Sequence, residues 1–269
     1  MAPVPLRRPA PQPSAPLAAP RGSIQFARPQ KAAGHRIVLY GQGGIGKTTL
    51  ASLLPGPVAF IDLDESLGRL GIDAPCLYPQ SWKELRDMLN SDGWDDVKSI
   101  VIDTATKAEE LAAAEVVQEH RGDTGKDGRP VSSIESFGYG KGYMLLFEKF
   151  QPLLGDLDKH VRAGRNVALI CHDCTTTVPN PGGEDWLRYE PRLSSPSSGK
   201  GSVRLRVREW ADHVLFLDYD IVVADDGKGK GGGSRTLYRS QMPHCMAKSR
   251  TGADPIPVDG NFTWGEIIK

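Results

Sequence analysis

Apolar residues in this chain fall into short unbroken runs separated by stretches of helical period. Arg36-Ile-Val-Leu-Tyr40 holds such a run, ends in glycines, and reads as a short buried strand. Val58–Leu63, Ser99–Ile102 and Asn166–Cys171 repeat the pattern. Between them, Thr48–Leu54 predicts a helix stopped at Pro55-Gly-Pro57, and Ser81–Leu89 sets Trp82, Leu85 and Leu89 at helical spacing. Ala105–Glu119 predicts an alanine-rich helix, and Tyr143–Arg162 a long amphipathic one with a kink expected at Pro152. Arg121–Phe137 and Thr175–Gly201 read as polar loops. Val203–Arg208, Val214–Val223, Thr236–Arg239 and Cys245–Lys248 read as strands, with Gly227–Gly233 as a flexible hairpin tip. Alternating strands and helices followed by a β-rich end predict an α/β fold. Its sheet is mostly parallel, with helices on both faces and antiparallel strands extending it.

Residues 1–33 break with this pattern. They are rich in Pro and Ala, lack apolar periodicity, and are expected to form a disordered basic tail ahead of one domain over residues 34–269. Up to residue 40 the chain holds Arg7, Arg8, Arg21, Arg28, Lys31 and Arg36 and no acid, so the net charge of zero conceals a basic start and an acidic remainder. Hydrophobic residues make up 39% and charged residues 25%, which suits a globular domain rather than a disordered or membrane protein. With no apolar run of membrane-spanning length, no secretory leader pattern and only four cysteines, a reducing cytoplasm is expected, that of a host cell if the chain is phage-encoded.

One segment carries explicit chemistry. Gly41-Gln-Gly-Gly-Ile-Gly-Lys-Thr48 matches the phosphate-binding loop pattern G-x-x-x-x-G-K-[ST], after a strand and before a helix. Gly41, Gln42, Gly43, Gly44, Ile45, Gly46, Lys47, Thr48 and Thr49 are therefore the candidate ATP-binding residues. Glycines let backbone N–H groups turn inward around phosphates, Lys47 would reach the β- and γ-phosphates, and Thr48 would ligate Mg²⁺. Ser99-Ile-Val-Ile-Asp103 is an apolar strand ending in Asp, so Asp103 is the second candidate metal residue. Thr104 stands where many such ATPases place a glutamate, so the acid that positions water must come from elsewhere. Asp62, Asp64 and Glu65 at the end of the second strand are the candidates. His172, directly after the fourth strand, is a candidate γ-phosphate sensor, with a simple strand-end histidine as the alternative.

These elements, in this order, resemble the RecA-like ATPases, above all small phage-encoded forms that carry the core alone and are linked to single-strand annealing and recombination. Ala59-Phe-Ile-Asp-Leu-Asp64 resembles the family strand that delivers the catalytic acid; the family has Glu where Asp64 stands, and Glu65 is adjacent. The resemblance implies a sensor role for His172 at the start of a DNA-binding loop. Met246-Ala-Lys-Ser-Arg250 resembles the paired basic residues, here Lys248 and Arg250, that reach a neighbouring subunit's ATP. Tyr139-Gly-Lys-Gly-Tyr143 and Glu209-Trp-Ala-Asp212 also look typical of the phage group. Taken whole, the resemblance implies a magnesium-dependent ATPase that binds or anneals single-stranded DNA in phage recombination or repair. It also implies a homo-oligomer with ATP at the subunit interface, and a single-strand-binding protein as a further partner.

Two rival readings stand beside it. A ParA-like partition ATPase shares the loop and the Ile61-Asp-Leu-Asp64 strand, but such proteins carry a second lysine where this chain has Gln42. The other rival is an ATP-gated binding module with negligible turnover. For DNA contact, Arg204, Arg206 and Arg208 would share one face if extended, with Lys200 upstream and Trp186 and Tyr189 to stack bases; a solvated face paired to acids is the alternative. Cys171-His-Asp-Cys174 has metal-like spacing, yet a single such pair more commonly reports small core residues.

Overall fold

Side chains of the first strand alternate between two apolar layers, and that alternation organises the whole molecule. The computed structural model describes residues 34–268 except 198 and 224–228; the side chains of 221–223 and 229–232 also lie outside the description. The expected tail, residues 1–33, falls outside the described residues, as does part of the expected hairpin tip. Strands are β1 Arg36–Gly41, β2 Val58–Asp62, β3 Cys76–Leu77, β4 Ser99–Asp103, β5 Asn166–Val178, β6 Trp186–Pro191, β7 His213–Val223, β8 Gly229–Tyr238 and β9 Ile256–Pro257. Helices are α1 Lys47–Ser52, α2 Leu67–Leu70, α3 Trp82–Asn90, α4 Ala105–Glu119, α5 Lys141–Arg162 and α6 Val203–Trp210.

The sheet runs β3-β2-β4-β5-β1-β7-β8-β9, with β6 added to β5. β1 lies between β5 and β7, parallel to both, and β4 pairs with β2 and β5 in the same sense. β8 and β9 add antiparallel strands at one edge, as expected for the β-rich end. The edge strands β3 and β9 have two residues each, which leaves little open edge for pairing with another chain.

Val38 and Tyr40 face a core layer that includes Leu85, Ala108, Leu153 and Val207 from α3 to α6. Ile37 and Leu39 face the opposite layer, built from Leu50 of α1, Leu67 of α2 and the C-terminal Trp264 and Ile267. Helices therefore cover both faces. In α3 the Ser81 hydroxyl accepts from the Glu84 N–H, and Trp82, Leu85 and Leu89 are buried, each worth roughly 1.5–3 kcal/mol. Among the described residues no helix is long and apolar enough to cross a membrane.

Four local expectations are corrected. Val203–Arg208 is helical: the Ser202 hydroxyl accepts from the Leu205 N–H, and Val203 and Val207 bury at a spacing of one helical turn. The alternating Val-Arg-Leu-Arg sequence mimicked a strand period, but capping and i,i+4 burial prevail. Thr175–Gly201 is not wholly loop, because β-branched Thr175–Val178 prolong β5 and pair with Trp186–Tyr189 of β6 in an antiparallel hairpin. Gly229–Gly233 belong to β8 rather than to a loop tip, and Cys245–Lys248 makes only isolated bridges, as between Val214 and Lys248.

Candidate nucleotide site

The carboxyl ends of β1, β2 and β4, with His172 midway along β5, surround a cleft of about 380 Å³. It is lined by loop residues Gly43, Gly44, Gly46, Lys47, Thr48 and Thr49, and by Asp64, Ser66, Arg69, Leu70, Asp103, Thr104 and His172. Gly41, φ 155°, must be glycine because the backbone of Leu217 in β7 runs against its Cα. Gly43 and Gly44 face open space where a side chain would stand, so the loop leaves a concavity bordered by backbone.

Lys47 is buried, and its Nζ donates to the carbonyls of Gly41 at 2.8 Å and Gln42 at 2.7 Å. Burial lowers its pKa, against the pull of Asp103. The Thr48 hydroxyl donates to Asp103 Oδ2 at 2.7 Å, which joins the two predicted metal residues. Burial pushes the Asp103 carboxyl up to about 6, opposed by the Thr48 hydrogen bond and reinforced by Asp64 and Asp62. A buried carboxylate among other carboxylates is short of positive charge, and a hydroxyl beside it completes an oxygen donor set for a hard divalent cation. The concave loop, Lys47 and this oxygen pair fit a nucleotide triphosphate with Mg²⁺.

The three candidate acids separate. Asp62 is buried and accepts from the N–H groups of Ser66 at 3.2 Å and Leu67 at 3.1 Å, so it secures α2 and is no base. Asp64 lines the cleft. Glu65, in the left-handed region at φ 51°, turns the chain into α2 and does not line it. His172 sits beside Gly41 in the β1–β5 register, with Nε2 4.0 Å from Asp64 Oδ2. Its pKa is lowered, by burial first and then by Lys47 and Arg192.

Lys248 and Arg250 stand elsewhere. Lys248 pairs with Val214 at the amino end of β7, opposite the end that carries the phosphate loop. Its Nζ donates to the Glu209 carbonyl, and Arg250 pairs with Asp212 at 2.8 Å. Neither lines the cleft of its own chain.

The expected DNA-contact residues do not form one stripe. Arg204 is buried, donating to Glu190 at 2.7 Å, to the Leu193 carbonyl and to Cys174 Sγ, so it is a structural cation. Tyr189 turns inward and stacks on Phe216 at 5.3 Å. Arg206 is exposed beside Glu209, Arg208 donates to Gln241, and Lys200 is exposed in the turn before α6. Trp186 is partly exposed, its indole N–H on the Pro243 carbonyl. No group of three or more His, Cys, Asp or Glu that could hold a metal occurs among the described residues; Cys171 and Cys245 are simply buried.

Sequence reasoning missed the base of the hairpin. The Thr106 hydroxyl accepts from the His172 N–H and donates to the Arg192 carbonyl, both at 3.2 Å, while the Arg192 N–H donates to the His172 carbonyl. Glu109 accepts from the Ser194 N–H on both carboxylate oxygens, at 2.9 and 3.0 Å. The α4 helix that begins behind Asp103 thus grips the hairpin. Position on the first turns after an Asp-ended strand was the signal available.

A P-loop nucleotide-binding domain is the class that this sheet and cleft define. The family model described as an AAA domain matches residues 33–251, and the chain belongs to that family of AAA-type ATPase domains. Use of ATP with Mg²⁺ is what the family implies. No curated protein matches the chain.

Proposed function

We propose that this AAA-type domain is a RecA-like, phage-type ATPase that turns over ATP in response to single-stranded DNA, during annealing or strand pairing in recombination or repair. The observation that carries this reading is β5, which runs unbroken from buried core, past His172 in the cleft, into the exposed β5–β6 hairpin. Thr106 and Glu109 fasten that hairpin to the helix behind Asp103, so cleft and hairpin share one hydrogen-bonded frame. Bound ATP and Mg²⁺ would supply the anhydride whose cleavage drives the cycle. Lys47 and the loop N–H groups hold the phosphates, Thr48 and Asp103 hold the cation, and the Asp64 carboxylate orients water and takes its proton.

DNA contact is assigned to the surface where Lys200 meets the start of α5. A Cβ on Gly201 would meet Met144 Sδ at 2.9 Å, so this turn lies against α5, just beyond the fully exposed Tyr139 and exposed Lys141. Exposed cations beside an exposed aromatic ring suit a single strand, with phosphates on the charges and a base on the ring. Lys248 and Arg250, remote from their own cleft, would serve the cleft of a neighbouring subunit. A single-strand-binding protein is a further partner on this reading.

The test is ATP hydrolysis by the purified protein with and without single-stranded DNA, beside Lys47→Ala. Stimulation by DNA that disappears in the variant is the expected outcome. Equal rates with and without DNA would overturn the DNA-dependent reading in favour of a partition-type ATPase. Binding without turnover would favour an ATP-gated module.

A further inference from the structure

The phosphate loop has a second cation against it, and it comes from the far end of the chain. Arg235, in β8, donates from Nη1 to the Ile45 carbonyl at 2.7 Å. Its guanidinium lies so close to Gly46 that a Cβ there would collide with it. In a loop whose N–H groups turn inward, the carbonyls face outward and need donors of their own. Lys47 supplies those of Gly41 and Gln42, and Arg235 supplies that of Ile45. Lys47 is also the side chain that phosphates would claim, whereas Arg235 does not line the cleft.

The geometry points to Arg235 as a positioning residue for nucleotide binding, which keeps the phosphate loop in its receptive shape from outside once Lys47 turns to the ligand. This rests on the reading of the cleft as a nucleotide site and is independent of DNA. Arg235 acts on the loop backbone, so it serves nucleotide diphosphate and triphosphate alike. Its site is hence the β-phosphate region of the loop rather than the γ-phosphate end marked by Asp64 and His172.

The experiment is fluorescence titration with labelled MgADP and MgATP on the full chain, comparing wild type, Arg235→Ala and Arg235→Lys, together with kcat at saturating ATP. Loss of a charge-assisted hydrogen bond is expected to weaken both nucleotides equally, about ten- to a hundredfold, with kcat within about threefold of wild type. Arg235→Lys should recover most of the affinity. MgADP affinity unchanged in Arg235→Ala would overturn the inference, and so would a loss confined to MgATP or to kcat. Should Arg235→Ala not fold, Arg235→Gln removes the charge and keeps an amide donor; severalfold weaker MgADP is expected, and unchanged affinity would overturn the inference. Failure of wild type itself to bind MgADP would instead remove the nucleotide reading, and this inference with it.

Discussion

The phosphate cleft and the hairpin–α6 region both gather charged side chains and use them in opposite ways. In the cleft, Lys47, Asp64 and Asp103 converge on open space. Across the hairpin and α6, Arg188 and Arg204 converge on one carboxylate, Glu190, and are withdrawn from solvent. A charge aimed at a ligand is left incompletely compensated by its own chain; a charge that holds the fold is matched by it. Type and spacing of residues did not tell these apart.

The comparison breaks most sharply at the paired acids. Asp64→Asn should lower kcat about 10²–10⁴-fold while MgADP still binds, as expected for loss of a general base. Glu65→Gln should stay within about threefold. Equal losses in the two variants would mean that Glu65 enters the cleft during turnover. A stopped assay beside a nucleotide titration reads both.

On the hairpin side the expected effect is on stability. Arg204→Ala removes one of the two cations on the buried Glu190 and the donor to the Leu193 carbonyl, and should cost about 3 kcal/mol. That lowers the melting temperature by roughly 6–12 °C in a domain of this size. Lys200→Ala, in the exposed turn against α5, should leave melting unchanged within about 2 °C and weaken single-stranded DNA severalfold. If Arg204→Ala instead melts like wild type and loses DNA, Arg204 is a contact residue and the contrast fails.

The smallest effect concerns pH. Burial pushes the Glu109 carboxyl from its ordinary 4.5 up to about 7, against the two bonds from Ser194. The folded protein therefore holds this proton more tightly than the unfolded chain. The stability it contributes is complete below about pH 4.5 and is lost as pH rises through about 7. Melting temperature against pH should show this decline in wild type and a flatter line in Glu109→Gln. Identical slopes would place the titrating group elsewhere.

Legibility in the sequence followed the same divide. The phosphate loop was readable because a tight turn and a close approach to phosphates require glycine at set positions, and that demand is local. The strands with both faces buried, and α4 to the residue, were readable from continuous or periodic apolar runs. The fate of Arg204 was not readable. It depended on whether Val203–Arg208 ran at period two or 3.6, and on Glu190 arriving from another strand. Asp62 and Asp64 looked equivalent until the strand ended at Asp62 and α2 took up its carboxylate. Arg235 gave no local sign, since its partner Ile45 lies near the other end of the domain.

The place of β1 in the sheet also governs how the chain is made. The strand that carries the phosphate loop precedes the other described strands in the chain, yet its neighbours are β5 and β7, synthesised far later. A nascent chain halted before Asn166 holds that strand with no partner on either side, and one halted before His213 has closed one side only. Such long-range pairing is slow and leaves strand edges open to other chains. Nucleotide therefore cannot act as an early template for this domain. On this topology it is expected to bind only after β7 has emerged, and truncations short of β7 are expected to aggregate rather than fold around ATP.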